Sequence, residues 1–218
     1  MKILSVRRGF ASDHSSTSYE FLAVDKPLSK NDRSEVSKLS SRVNPTARRA
    51  NFIYHVDGYD IPGGWEKLME KYYDVMYCED YDWWTLAMAW NSAPDQYDEL
   101  RHFGFEGEHE GTGIDIAVSS DKKRITATVH CTLDTADIDY SDYDEEDDAE
   151  NEVFETDDDL LNLLTQVRKQ LAGGDYRVLY AVWEKYGDLN DELAPPKPKN
   201  KKSGEETVNN FKNMLTLI

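Results

Sequence analysis

Residues 54–90 constrain this chain more than any other stretch: they hold ten of its 25 aromatic residues and four of its five tryptophans. Eight carboxylates lie among those rings (Asp57, Asp60, Glu66, Glu70, Asp74, Glu79, Asp80 and Asp82), against Lys67 and Lys71 alone. Aromatic side chains bury large areas and dominate both cores and binding hot spots. Such a block must therefore build the centre of a domain, present a partner-binding face, or divide between the two.

Periodicity around the block suggests how it divides. YEFLAV (19–24) is apolar and short, as a central strand is, and Pro27 closes it. Ser29 then opens a helix, with Asp32 three residues on as a short-armed capping box; Val36, Leu39 and Val43 form its stripe. A second strand is expected over 50–56. The glycine- and proline-punctuated loop 57–64 leads into a helix whose face carries Trp65, Leu68, Met69, Tyr72, Tyr73 and Met76. WTLAMAW (84–90) reads as a strand. Residues 114–118 and 124–131 read as a hairpin, since ITATVHC alternates apolar with polar. Helices are expected over 160–171, 176–186 and 208–217, with a proline–lysine linker at 194–202. Strand and helix in this order give an α+β fold: a mixed or antiparallel sheet with helices on one face and a helical C-terminal layer. The organisation expected is a sheet domain at 1–133, an acidic insertion at 134–159 and C-terminal helices at 160–218 packing on the same domain.

Charge narrows the function classes. The formal net charge is −18, but residues 134–159 supply fifteen acids with no Lys or Arg, so the rest carries only −3. An acidic chain with short basic patches does not suit phosphate binding, so no direct nucleic-acid binding is expected. Cys78 and Cys131 lack CxxC spacing, which argues against a cysteine zinc site and a secreted disulfide framework. The four-residue apolar patch near Met1 is too short for a signal peptide, and no apolar run reaches membrane-spanning length; the expected location is cytoplasmic.

Chemical candidates are few. Asp13, His14, Ser15 and Ser16 bring the ingredients of an activated serine together, yet adjacent residues rarely point at one another, and a turn before a strand is the simpler account. His55, Asp57 and Asp60 could hold a divalent ion for a hydrolase or nuclease-like reaction, against a hydrogen-bonded strand histidine as the plainer alternative. His109 between Glu108 and Glu110 suits a solvated loop. Asp137, Asp139, Ser141, Glu145 and Asp148 approach calcium-loop spacing, but Asp142 stands where the turn requires glycine. No cofactor is expected. The acidic segment, studded with Ile138, Tyr140, Tyr143 and Phe154, suits either a disordered spacer, a linear motif for a basic partner, or a nucleic-acid mimic that blocks a DNA-binding protein.

The stretches YEFLAVDKPLSKNDRSEVSKLSSR and TARRANFIYHVDGYDIPGGWEKLMEKYYDVMY, with LLTQVRKQLAGGDYRVLYAVWEKYG and LAPPKPKN later, resemble an uncharacterised family of bacterial proteins. The resemblance covers residues 19–90 and 160–218. It implies a companion of SWIM zinc-finger proteins in gene clusters, an accessory component of a multi-protein system. The partner expected is such a protein or another basic-surfaced subunit. The candidate contact residues are those the helical stripe leaves over: Tyr59, Asp60, Asp80, Tyr81, Asp82 and Trp83, joined by Tyr140 and Tyr143.

Overall fold

The computed structural model describes residues 16–55, 61–80, 83–93, 95–132, 157–187, 194–199 and 201–217. Its seven strands are β1 (Ser16–Leu22), β2 (Arg49–His55), β3 (Val75–Asp80), β4 (Trp83–Asn91), β5 (Phe105–Glu106), β6 (Gly113–Val118) and β7 (Arg124–Thr132). They form one sheet in the order β2-β1-β3-β4-β7-β6-β5, and every neighbouring pair is antiparallel. The helices are α1 (Lys30–Ser37), α2 (Glu66–Lys71), α3 (Gln96–Leu100), α4 (Asp157–Ala172), α5 (Arg177–Tyr186) and α6 (Glu205–Leu217), with a 3₁₀ turn at Arg101–Phe103. This is the α+β architecture expected from the order of strands and helices.

Alternation along β4 shows why the sheet has two different faces. Successive side chains of a strand point to opposite sides. Trp84, Leu86, Met88 and Trp90 therefore share a side with Ile125, Ala127, Val129 and Cys131 of β7, and α4, α5 and α6 cover them. The helices reply with Leu160, Leu161, Leu163, Leu164, Val167 and Leu171, all buried, then Val178, Leu179 and Val182, then Phe211 and Met214. On the other side β4 offers only Ala87 and Ala89 to a second, smaller cluster. There Phe21, Phe52, Met76 and Cys78 pack with Val36 of α1 and with Leu68 and Met69 of α2. That cluster covers β2, β1 and β3. Beyond it, the outer half of this face, from Thr85 across β7 to β6, carries Thr126, Thr128, His130, Asp115 and Ala117. We call it the open face.

Several expectations shift in detail. Ser29 and Asp32 do form the capping box, each side chain bonding the other's backbone N–H (3.1 and 2.9 Å). The helix expected through Met76 stops at Lys71, and Met76 lies in β3 instead. The cause is Asp74, whose backbone N–H donates to Leu22 O (2.9 Å) and whose carbonyl accepts from Ala89 N–H (2.8 Å), locking that residue into the sheet. Short elements β5 and α3 had no periodicity long enough to announce them. In the loop before α2, Gly63 and Gly64 both sit at φ +87°, and buried Ile61 and half-buried Trp65 pack that turn onto the small cluster.

The Asp74 carboxylate joins the two layers. One oxygen accepts the N–H groups of Val24 and Asp25 (2.7 and 2.9 Å), and the other meets Arg124 Nη2 at 2.7 Å and Arg168 Nη2 at 3.4 Å. Arg168 comes from the buried stripe of α4 and also donates to Ala89 O (2.6 Å) and to both oxygens of Asp25. Arg124 comes from the opposite face and donates to the carbonyls of Met69 and Tyr73. A buried carboxylate with this many partners is fully hydrogen-bonded, the condition for keeping charge inside a protein.

Candidate partner-binding face

At the end of the sheet where β3 turns into β4, the register sets Asp80 opposite Trp83, and Thr17 of β1 beside Asp80. Thr17 Oγ1 donates to Asp80 Oδ1 at 2.6 Å, which fixes the carboxylate on the open face. Trp83 has 40% of its surface exposed, a high value for a tryptophan and matched among the described large apolar side chains only by Ile53 on the edge strand β2. One side of its ring meets the backbone. It lies against Gly111, where an added Cβ would come within 2.5 Å of Trp83 Cζ3, and Gly111 itself sits at φ +79°. Glycine is needed there twice, for the backbone turn and for the ring's seat.

Beside this seat a groove of about 440 Å³ opens between the β5–β6 loop and β7, lined by Glu106, Glu110, Asp115 and His130 and floored by backbone at Gly107, Gly111 and Gly113. His130 Nε2 lies 3.1 Å from Asp115 Oδ2, and its Nδ1 lies 3.4 Å from Thr85 Oγ1. Cross-strand register creates this trio: Thr85 pairs with His130, His130 with Gly113, and Asp115 with the next residue on the same face, Thr128. A hydroxyl, an imidazole and a carboxylate in line have the order of a nucleophile, base and orienting acid. The geometry does not support that chemistry. The hydroxyl contact is at the limit of a hydrogen bond, and the Asp115 side chain is 79% exposed, so water screens the carboxylate that should orient the base. The arrangement is better suited to recognition: an exposed indole and four carboxylates, with His130 among them.

Of the residues singled out by sequence, the structure brings Asp80 and Trp83 together. Tyr59, Asp60, Tyr81, Asp82, Tyr140 and Tyr143 lie outside the described residues, as do Asp57, Asp13, His14, Ser15 and the calcium-like positions Asp137 to Asp148. His55 closes β2. Trp84, Trp83's neighbour, faces the helical layer and is buried, with its ring stacked on Tyr77 at 6.0 Å. Trp65 and Tyr72 are half-buried against the small cluster. The aromatic block thus divides, mostly into core. The residues that sequence reading missed are His130, Asp115 and Thr85, brought together by strand register over separations of 15 and 45 residues. His109 does lie in an exposed loop.

Cys78 and Cys131 are both buried thiols outside any disulfide, on opposite faces of the sheet. Burial pushes the Cys131 thiol up to about 12, so it is inert as a nucleophile. Among the described residues no three or more His, Cys, Asp or Glu side chains cluster as a metal site would require, and no helix is long and apolar enough to cross a membrane.

No family model and no curated protein matches the chain. Among solved structures, it is similar to the ligand-free regulatory subunit of aspartate kinase from Thermus thermophilus, with 11% identity over 54% of this chain and 83% of that one, at a TM-score of 0.23. An overlap that loose bears on neither fold nor function.

Proposed function

We propose that this protein is a non-enzymatic accessory subunit that binds a basic-surfaced partner protein through the aromatic and acidic end of its open sheet face. The observation that carries the reading is Trp83, exposed to 40% and resting against Gly111, beside Asp80 and the groove of Glu106, Glu110 and Asp115. Tryptophan is enriched at interface hot spots, and it attracts arginine and lysine through its ring face, by about 0.5–1 kcal/mol at an exposed site. The surrounding carboxylates disfavour phosphate and favour cations.

The acidic stretch at 134–159 favours the same class of partner by its charge, and Tyr140 and Tyr143 within it are proposed as further contacts. In sequence it begins two residues after Thr132, the residue paired with Trp83 across β4 and β7. By the family resemblance, a SWIM zinc-finger protein is the first partner to try.

The test is affinity capture from native cells with three baits: wild type, Trp83→Ala and Asp80→Lys. A stoichiometric partner retained by wild type at low salt, weakened by raised salt and lost from both variants is the expected result. A bait that comes away alone, or a partner held equally by all three, would overturn the reading.

A further inference from the structure

A second cleft lies near the other end of β4, and nothing in the partner-binding reading uses it. It holds about 780 Å³ between α3 with its 3₁₀ turn, the α4–α5 connection and a C-terminal strap that contributes 196–199 and Lys201. That volume is within the range of small-molecule sites, roughly 300–1,000 Å³.

Its walls carry opposite charges from different parts of the chain. Asp95, Asp98 and Glu99 stand on the α3 side, and Lys197 and Lys199 on the strap. These groups line one cleft, yet no ion pair joins the acids to the two lysines among the described residues. Asp98 instead meets Arg101 (3.5 Å) on its own side, and Glu99 accepts the Tyr176 hydroxyl (3.1 Å). Asp95, Lys197 and Lys199 are exposed.

The gap between the walls is built rather than incidental. Arg177, itself paired with Asp175 at 2.7 Å, donates to the carbonyls of Lys201 and Ser203, and Lys201 Nζ donates to Gly174 O. Gln96, tied to Trp90 Nε1 (3.0 Å) and to Leu171 O (2.9 Å), fixes the α3 side. Pro195 is buried, and Pro196 and Pro198 stiffen the strap between these ties. The backbone of both walls is thus tied down, while the Lys197 and Lys199 side chains extend from the strap with no ion pair to the α3 acids among the described residues. The floor is aromatic: Phe103 and Tyr176 pack with ring centres 5.4 Å apart.

We propose that this cleft binds a small zwitterion, a free amino acid or the unblocked form of a short peptide. Its ammonium group faces Asp95 and Glu99, its carboxylate faces Lys197 and Lys199, and its apolar part rests on the half-buried ring of Tyr176, which buried Phe103 backs. A dipolar ligand satisfies both walls at once, whereas an ion of either sign meets one wall that repels it.

The experiment is calorimetric titration of the full chain with three sets of probes: free L-amino acids, their N-acetyl and C-amide derivatives, and unblocked dipeptides. Saturable binding of a free zwitterion, weakened by blocking either end, is expected; binding by dipeptides alone assigns the ligand to peptides. Lys197→Glu with Lys199→Glu should weaken that binding about tenfold, since two exposed ion pairs are worth about 1–2 kcal/mol together. Both lysines are exposed, and an unchanged melting temperature in the double variant confirms that the fold is intact. Failure of every zwitterion to bind at millimolar concentration, or equal binding of blocked and free forms, would overturn the proposal. Neither result touches the partner-binding reading, which is probed at Trp83.

Discussion

At the level of single residues, Asp74 ties the two faces of the sheet together. Arg124 reaches it from one face of the sheet and Arg168 from the other, and two backbone N–H groups complete its shell. Removing one partner from a buried ion network leaves the others charged and unpaired, which costs about 3–5 kcal/mol. Asp74→Ala is therefore expected to lose about that much stability in urea unfolding. Trp83→Ala should behave in the opposite way: about 1 kcal/mol or less in stability, because much of the ring is already in water, but loss of partner binding. Gly111→Ala is the companion test. The residue at φ +79° cannot take a side chain without strain, and the new Cβ would collide with the indole. A loss of about 1–2 kcal/mol is expected, together with a changed emission from Trp83.

At the level of elements, β4 explains most of the fold. Its large residues from Trp84 to Trp90 face the helical layer and its alanines let the smaller layer approach, so one strand sets both packing depths. The alternation of β4, the hairpin of β6 and β7, and the leucine stripe of α4 were all legible in sequence, because each is a long repeat that tertiary contacts reinforce. The end of α2 was not. Tyr72, Tyr73 and Met76 continue a helical spacing by coincidence, and only the long-range hydrogen bonds at Asp74 convert that stretch to strand. The candidate site divides along the same line. Asp80 and Trp83 are adjacent to a turn and could be named from sequence, while His130, Asp115 and Thr85 meet only through register that no local pattern encodes. For α4, Leu164→Ala removes a fully buried side chain from the centre of the larger cluster and should cost about 2–5 kcal/mol, read as a lower denaturation midpoint with an unchanged m-value. For α1, Ser29→Ala deletes half of the capping box and should cost about 1 kcal/mol.

At the scale of the whole molecule, charge governs both stability and binding. The hydrogen bond from Arg168, reinforced by its positive charge and that of Arg124, holds the Asp25 carboxyl below its ordinary value of 3.8 against the opposing effect of burial. Burial acts most strongly on Asp175 and raises it, but side-chain and backbone hydrogen bonds from Arg177 outweigh that and leave it below 3.8 as well. A carboxyl that is more acidic when folded gives stability that is intact above the unfolded value and lost as pH falls through the folded one. The melting temperature should therefore hold steady from neutrality and decline as pH falls below about 4, with Asp25→Asn showing a shallower decline. Net charge of −18 places the same molecule among proteins that attract basic surfaces over distance, so association with its partner should slow as salt rises. The most direct test of the partner-binding face is site-specific photo-crosslinking in native cells. A photoreactive residue at exposed His109, in the β5–β6 loop beside the groove, is compared with one at exposed Lys212, on the outer helical layer. The account predicts one dominant adduct with a basic protein from position 109, abolished by Trp83→Ala, and none from position 212; equal adducts from both positions, or a 109 adduct indifferent to Trp83, would contradict it.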